Sequence, residues 1–550
     1  MVNSHQKESN SHKWWALVAI CFGLFMALID VTVVNVALPT IAKDLNAALG
    51  SLQWVISAYA IALAVFIITS SRLGDIFGRK RFFIIGMSVF TIGSLLCALS
   101  GDFTIGSLSH VDILNISRVI QGLGSSAMMP LSLALISSTF EAKERGMAFG
   151  IWGGVSGLAT AIGPVLGGIL VTKVNWQSIF LINIPIGIIG ILMAMWALKE
   201  ARDNHAPRSI DVFGLVTVTA FMFCLVLALI QGNDKGWTST YIITLFVIAA
   251  VSLIVFIIGE LRMKFPMVDP RIFKNASYTG SAISAFTLSA GLYSLLFYLA
   301  LYLQNFLGFN ALQAGLRFLP LSALVLLTAP LAGRMTDRVG AKPILFVGLG
   351  LITVGVAFMT RISPQDQAAD WVVLLPALIL AGLGNGLVNP PISSVALGTI
   401  DPRRSGMASG VNNVSRQIGI SFGIAFLGAM LTDRYNIYIK NQISALNIPH
   451  LTAAVKTQII TGLQKAGTIA ASTGLRTNPN HPNPYSNSPF FPDVQKAVRV
   501  AFIHGMTDIL LWATGFLAVG AVSALFLIKR ADMYHHRNEH NRNEHESTEN

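Results

Sequence analysis

Residues 122–150 recur 260 positions further on, inside an almost unbroken series of apolar segments. Gly122-Leu123-Gly124 returns as Gly382-Leu383-Gly384, Pro130 as Pro390, Thr139 as Thr399, and Gly146-Met147-Ala148 with Gly150 as Gly406-Met407-Ala408 with Gly410. Nine of 29 ungapped positions are identical, where a shifted apolar segment matches by chance at about two or three. A second element repeats nearby: Ser71, Asp75, Gly78, Arg79 and Lys80 reappear at the same spacing as Gly333, Asp337, Gly340, Ala341 and Lys342. Two membrane halves of like orientation, made by duplication, imply a secondary transporter with its substrate site between the halves.

The segments are long enough to span a bilayer, which takes about 20 mostly apolar residues. Fourteen are expected, near 14–38, 52–71, 82–100, 113–138, 147–172, 179–198, 211–231, 239–259, 278–303, 312–333, 343–360, 371–398, 405–430 and 500–528. None alternates like a membrane barrel strand, so the class is an all-α membrane protein. The first span is too long, and too poor in a small-residue cleavage site, for a removable signal. Cys21, Cys97 and Cys224 fall in three different spans, which excludes a disulfide framework and a cysteine metal site.

The duplication divides the chain into a tail (1–13), a six-helix bundle (14–198), a linker carrying two extra helices (199–277), a second six-helix bundle (278–528) and a second tail (529–550). The second bundle contains a long extracytoplasmic segment, 431–499, which opens on an amphipathic stretch at 453–464 and continues through a proline-rich run at 478–484. The last tail repeats Arg-Asn-Glu-His and reads as a solvated segment. Of the 38 basic residues, 24 fall on the tails and loops of one face, so the positive-inside rule places both termini in the cytosol of a cell, or inner, membrane. That bias largely accounts for the net charge of +12. The basic residues are split among short loops and not gathered on one soluble face, so no nucleic-acid partner is expected. No nucleotide-binding Gly-x4-Gly-Lys-Ser/Thr loop is present, which excludes a primary pump; no enzyme activity, cofactor or metal is expected beyond a proton gradient.

Polar residues present in one half only are the best site candidates, because residues shared by both halves serve the fold. Asp30 lies deep in the first span and faces Ala290 and Leu292 in the repeat; Arg118 faces Leu378, and Arg416 replaces Ser156. An ionisable group inside a span is costly and marks a pathway or proton relay. Asp30 and Arg118 are therefore the expected proton-coupling pair, with Asp508, four residues after His504, as a further acid. Asp75 and Asp337, beside Gly78, Arg79, Lys80 and Arg338, are expected to latch helix ends across the seam between halves. Substrate contacts are sought among adaptable apolar groups and the extra cation: Met26, Tyr59, Met129, Trp152, Tyr293, Phe297 and Arg416.

Five motifs, in order and on the right spans, carry a resemblance. Leu28 to Pro39 resembles a first-helix motif; Ser71 to Lys80 resembles a loop motif, with Ser71 at a usual glycine; Asn115 to Arg118 with Gln121, Gly122 and Gly124 resembles a fourth-helix motif. Gly163, Pro164, Gly167 and Gly168 resemble an antiporter motif, with Ala159 at its leading glycine, and Trp176, Phe180, Asn183, Pro185 and Gly187 resemble a sixth-helix start. Together they resemble the fourteen-span drug:proton antiporters of the major facilitator superfamily, the EmrB/QacA type. The resemblance implies proton-coupled multidrug efflux of amphipathic and cationic compounds, with the antiporter motif sealing the pathway against leak. Small amphipathic substrates, protons and membrane lipids are the implied partners, and a periplasmic adaptor stays open. Export of a lipid or metabolite on the same fold, and a non-transporting sensor or scaffold, are the alternatives.

Overall fold

Apolar runs of bilayer length leave the backbone one way to satisfy its own hydrogen bonds, and the chain takes it throughout. The computed structural model describes residues 2–45, 49–102, 106, 108–201, 211–263, 266–401, 404–446, 452–472 and 490–529; the proline-rich run at 478–484 and the tail beyond Lys529 lie outside them. The first six long helices are α1 (Val2–Asp44), α2 (Leu49–Phe77), α3 (Arg79–Leu99), α4 (His110–Thr139), α5 (Ala142–Lys173) and α6 (Asn183–Ala197). Two more follow, α7 (Val212–Lys235) and α8 (Thr240–Arg262), and then six again: α9 (Ala276–Phe306), α10 (Ala311–Val339), α11 (Ala341–Met359), α12 (Leu375–Gly398), α13 (Ser405–Ala445) and α14 (Phe491–Leu527). Thirteen helices among the described residues are long and apolar enough to cross a membrane, and α5, 32 residues long, completes the expected fourteen.

Successive helices alternate in direction, which gathers the basic loops 72–81 and 334–342 on one face, called here the basic face. Within the first six helices α2 and α3 pack on α4, and α1 on α5 and α6; within the last six α10 and α11 pack on α12, and α13 and α11 on α14. The inserted helix α7 leans on both sets, touching α2 and α13, and Asn233 donates to the carbonyl of Ala425 at 3.3 Å. α8 stands outermost, with Ile243, Val247, Val251 and Ile254 exposed, as suits a helix apolar on every side.

Two features depart from expectation. α9 is not uniform: Ser289–Tyr293 and Tyr302–Phe306 are π-helical turns, which no periodicity in the sequence announces. The segment from 431 is not a loop at its start. α13 continues to Ala445, about 60 Å of helix against a hydrocarbon core of about 30 Å, and α14 begins at Phe491, well before the expected 500. The extensions meet through Tyr435, Ile439 and Ile443 against Val494, Val498 and Ala501. Spacing of four between Leu431, Tyr435, Ile439 and Ile443 is an amphipathic stripe, and the interleaved charges had hidden it. The expected amphipathic helix is present within Ala453–Ser472, a span broken by a kink at Gly467 (φ 77°), and sets Ile459, Ile460 and Leu463 against the same cluster.

Candidate functional site

Asp30 sits in α1 with 1% of its surface exposed, and two helices supply its three partners. Arg118 of α4 places Nη1 2.5 Å from Oδ2. Gln121, one turn further along α4, donates from Nε2 to Oδ1 at 2.8 Å, and Asn183 of α6 donates to the same oxygen at 3.5 Å. The guanidinium is held in turn: Nε donates to the carbonyl of Val55 at 2.9 Å, Nη1 to Gln121 Oε1 at 2.6 Å, and the plane lies 4.4 Å over the Tyr59 ring. Gln121 also donates to Ser94 Oγ at 2.7 Å. A buried ion pair of this kind needs its remaining lone pairs satisfied to repay desolvation, and Gln121 and Asn183 do that here. Asp30 and Arg118 are brought together as expected; Gln121, Asn183 and Ser94 are additions. Gln121 was legible, since it faces Ala381 at the same offset that singled out Arg118.

The other side of α1 touches α5. A Cβ on Gly163 would meet the Thr32 side chain, and one on Gly167 would lie 3.1 Å from Val33. Bare backbone at these positions lets the two helices close. Gly168 turns away toward Leu312 of α10. Pro164 lies within α5; its ring is outside the described side chains. The helix that carries Asp30 is thus seated two residues later on the glycines of the antiporter-like motif.

At the basic face the two repeated elements meet each other, a connection the sequence did not reveal. Asp75, in the last turn of α2, accepts Arg79 Nε at 2.8 Å and, from the other half, the backbone amide of Met407 at 3.2 Å. Met407 is the third residue of α13, so its amide is one of the four a helix leaves without an internal partner. The Ser71 hydroxyl donates to the Gly406 carbonyl. In the symmetry-related corner Asp337 lies against Gly146, where a Cβ would fall 2.6 Å from both carboxylate oxygens. Gly-Met-Ala-x-Gly of each half is the receptor for the aspartate of the other. Gly78 (φ 118°) makes the sharp entry to α3, where Lys80 and Arg81 amides are accepted by Glu200 at 3.0 and 3.3 Å. Lys80 and Arg338 do not join the latch: Lys80 donates to the Met195 carbonyl at 2.7 Å, and Arg338 is exposed.

Hydrogen bonds between the two six-helix sets fall toward the basic face: those at Asp75 and Ser71, Ser409 to the Pro130 carbonyl at 2.8 Å, and Arg334 to Met147 sulfur at 3.8 Å. The described conformation is closed there. Asp75→Asn is expected to keep fold and insertion but to leave Arg79 short of its counter-charge, shifting the equilibrium about 1–3 kcal/mol toward opening. Faster alkylation of a cysteine placed behind the latch, from the basic face, checks it; unchanged labelling and flux would remove the latch.

The remaining candidates disperse. Asp508 of α14 pairs with Arg434 at 3.5 Å and accepts from Tyr438 at 3.4 Å, with His504 stacked on the same tyrosine, in the opposite bundle from Asp30. Met26, Tyr59 and Trp152 are buried among core side chains in this conformation. Met26 is fully buried, the Tyr59 ring already carries Arg118, and Trp152 donates to Ser132 at 3.0 Å. Met129 is half-buried and Phe297 exposed. Tyr293 and Arg416 come together, with two asparagines described below.

The Major Facilitator Superfamily model matches residues 20–424. A multidrug resistance protein, Stp, from Mycobacterium tuberculosis is 35% identical, over 80% of this chain and 78% of its own. The tetracenomycin C resistance and export protein of Streptomyces glaucescens is 31% identical, over 94% and 92%. Among solved structures, the human organic anion transporter TETRAN superposes with a TM-score of 0.56 at 14% identity, covering 92% of this chain and 99% of the other.

Proposed function

The chain belongs to the major facilitator superfamily, and from that premise we propose that it is a proton-coupled exporter of amphipathic compounds working by alternating access. The basic face is cytosolic, in keeping with the distribution of basic residues. The observation that carries the reading is the sealed Asp30–Arg118–Gln121–Asn183 cluster, an ionisable group held in a membrane helix at evident cost.

Arg118, Gln121 and Asn183 together hold the Asp30 carboxylate in a closed set of partners. A proton on Asp30 weakens its hold on Arg118 and frees α1 to move against α4. Because the opposite side of α1 is seated on Gly163 and Gly167, that movement passes into α5, which forms the seam with the second bundle. Substrate and proton then act on different surfaces of one helix pair. Direct competition for the carboxylate is not needed, and Asp30 has no exposed surface for it in this conformation.

Purified protein in liposomes, loaded with a pH dye, is expected to release protons on addition of ethidium or another amphipathic cation, and Asp30→Asn protein is not. Substrate movement without proton movement would refute coupling.

A further inference from the structure

Opposite the Asp30 cluster, the second bundle holds a cation with no acid. Arg416 of α13 donates from Nη1 to Asn389 Oδ1 at 2.7 Å, and the Tyr293 hydroxyl also lies within hydrogen-bonding reach of the guanidinium. Its Nε and Nη2 are shut away from solvent with no protein partner, and no carboxylate pairs with it among the described residues. These two nitrogens form one edge of the guanidinium, the fork that engages two oxygens of a planar anion side-on. The other end is fixed by a network: Asn389 Nδ2 donates to Asn385 Oδ1 at 2.8 Å and to the Tyr293 hydroxyl at 3.0 Å, and Tyr293 donates to Asn385 at 3.1 Å.

Two independent observations point the same way. Asn412, one turn before Arg416 on the same helix face, is 1% exposed, and neither its amide nitrogen nor its oxygen has a protein partner. Tyr293 ends the π-helical turn of α9, a distortion that recurs at functional sites. The cluster also lies on the seam: a Cβ on Gly153 of α5 would sit 3.6 Å from the Asn389 Cβ. Withdrawal of α5 from α12 therefore uncovers it.

We propose that Arg416, with Asn412, Asn389 and Tyr293, receives an acidic group of the exported compound, a carboxylate or an ionised phenol or enol. This deepens the exporter reading, and rests on it, by assigning a substrate class beyond cations. Asp30 and Arg416 then divide the work: the first bundle handles the proton, and the second fixes the anionic end of the cargo.

The test uses 7-diethylaminocoumarin-3-carboxylic acid and its neutral ethyl ester, bound to the purified full chain and read by fluorescence anisotropy. Wild-type protein is expected to bind the acid on the order of tenfold more tightly than the ester. Arg416→Gln removes that preference and Arg416→Lys restores part of it, with thermal melting reporting the fold; Asn412→Ala, expected to weaken the preference, serves if Arg416→Gln fails to fold. Equal binding of acid and ester by wild type, or binding of neither, overturns the proposal, as does an intact preference in a folded Arg416→Gln protein. Wild-type proton release driven by ethidium separates the two readings: its absence sinks the exporter, whereas its presence without acid preference sinks only the anion site.

Discussion

Asp30→Asn is expected to yield a folded, inserted protein that no longer exports against a gradient, while downhill exchange of substrate persists. Asparagine keeps one oxygen to accept from Arg118, its amide nitrogen replaces the oxygen that accepted from Gln121, and Arg118 retains the Val55 carbonyl and the Tyr59 ring. What disappears is the protonation step. Arg118→Ala acts differently: it strands a carboxylate that is 1% exposed, at a cost of about 3–5 kcal/mol. Arg118→Lys is expected to recover part of the coupling, because a cation returns without the two-sided fork. Counterflow and pH-driven uptake in everted vesicles, with expression measured alongside, distinguish these outcomes. Full pH-driven transport by a well-folded Asp30→Asn protein would move the coupling role to Asp508.

The second large effect is expected at the other end of the cycle. Gly333 and Gly146 meet backbone to backbone, and a Cβ on Gly333 would overlap the Gly146 carbonyl. Neither side offers a flexible side chain that can give way, so Gly333→Ala forces α5 and α10 apart at the basic face. Overpacking costs about 1–3 kcal/mol in ordinary cores, and here the strain is relieved by opening. The expected result is a carrier biased toward the cytosol-open state, with basic-face cysteine labelling raised at least about fivefold and turnover reduced. Gly350→Ala, where a Cβ meets nothing within 4 Å, is the control. Closed-state labelling in Gly333→Ala would show that the contact is not part of the gate.

The sequence carried most of this architecture because membrane helices are written in runs of apolar residues, and a duplication marks symmetry without any structure. It also located Asp30 and Arg118, since charge inside a span is rare enough to stand out. It did not connect the two repeated elements, because a contact between residues 75 and 407 leaves no local trace. Gln121 and Asn183 stood in the quoted motifs, yet uncharged polar residues are common in transporter helices and only their geometry gives them weight. The burial of Met26, Tyr59 and Trp152 was not legible for a related reason: an aromatic or methionine on an apolar helix looks the same whether it lines a cavity or fills a core. The extensions of α13 and α14 were missed because hydropathy ends where the bilayer ends, and the helices do not.

The seating of α7 against both α2 and α13 gives the inserted pair a part in the stroke. When the bundles separate at the basic face, α7 cannot keep both neighbours, and one flank must slide or be coated by acyl chains. For its apolar surface that exchange is nearly neutral, since lipid is as apolar as the side chains it replaces. The Asn233–Ala425 hydrogen bond is the exception, a polar tether that ties α7 to the second bundle. The tether favours a path in which the added helices stay with the second bundle and the flank between α7 and α2 is the one exchanged for lipid.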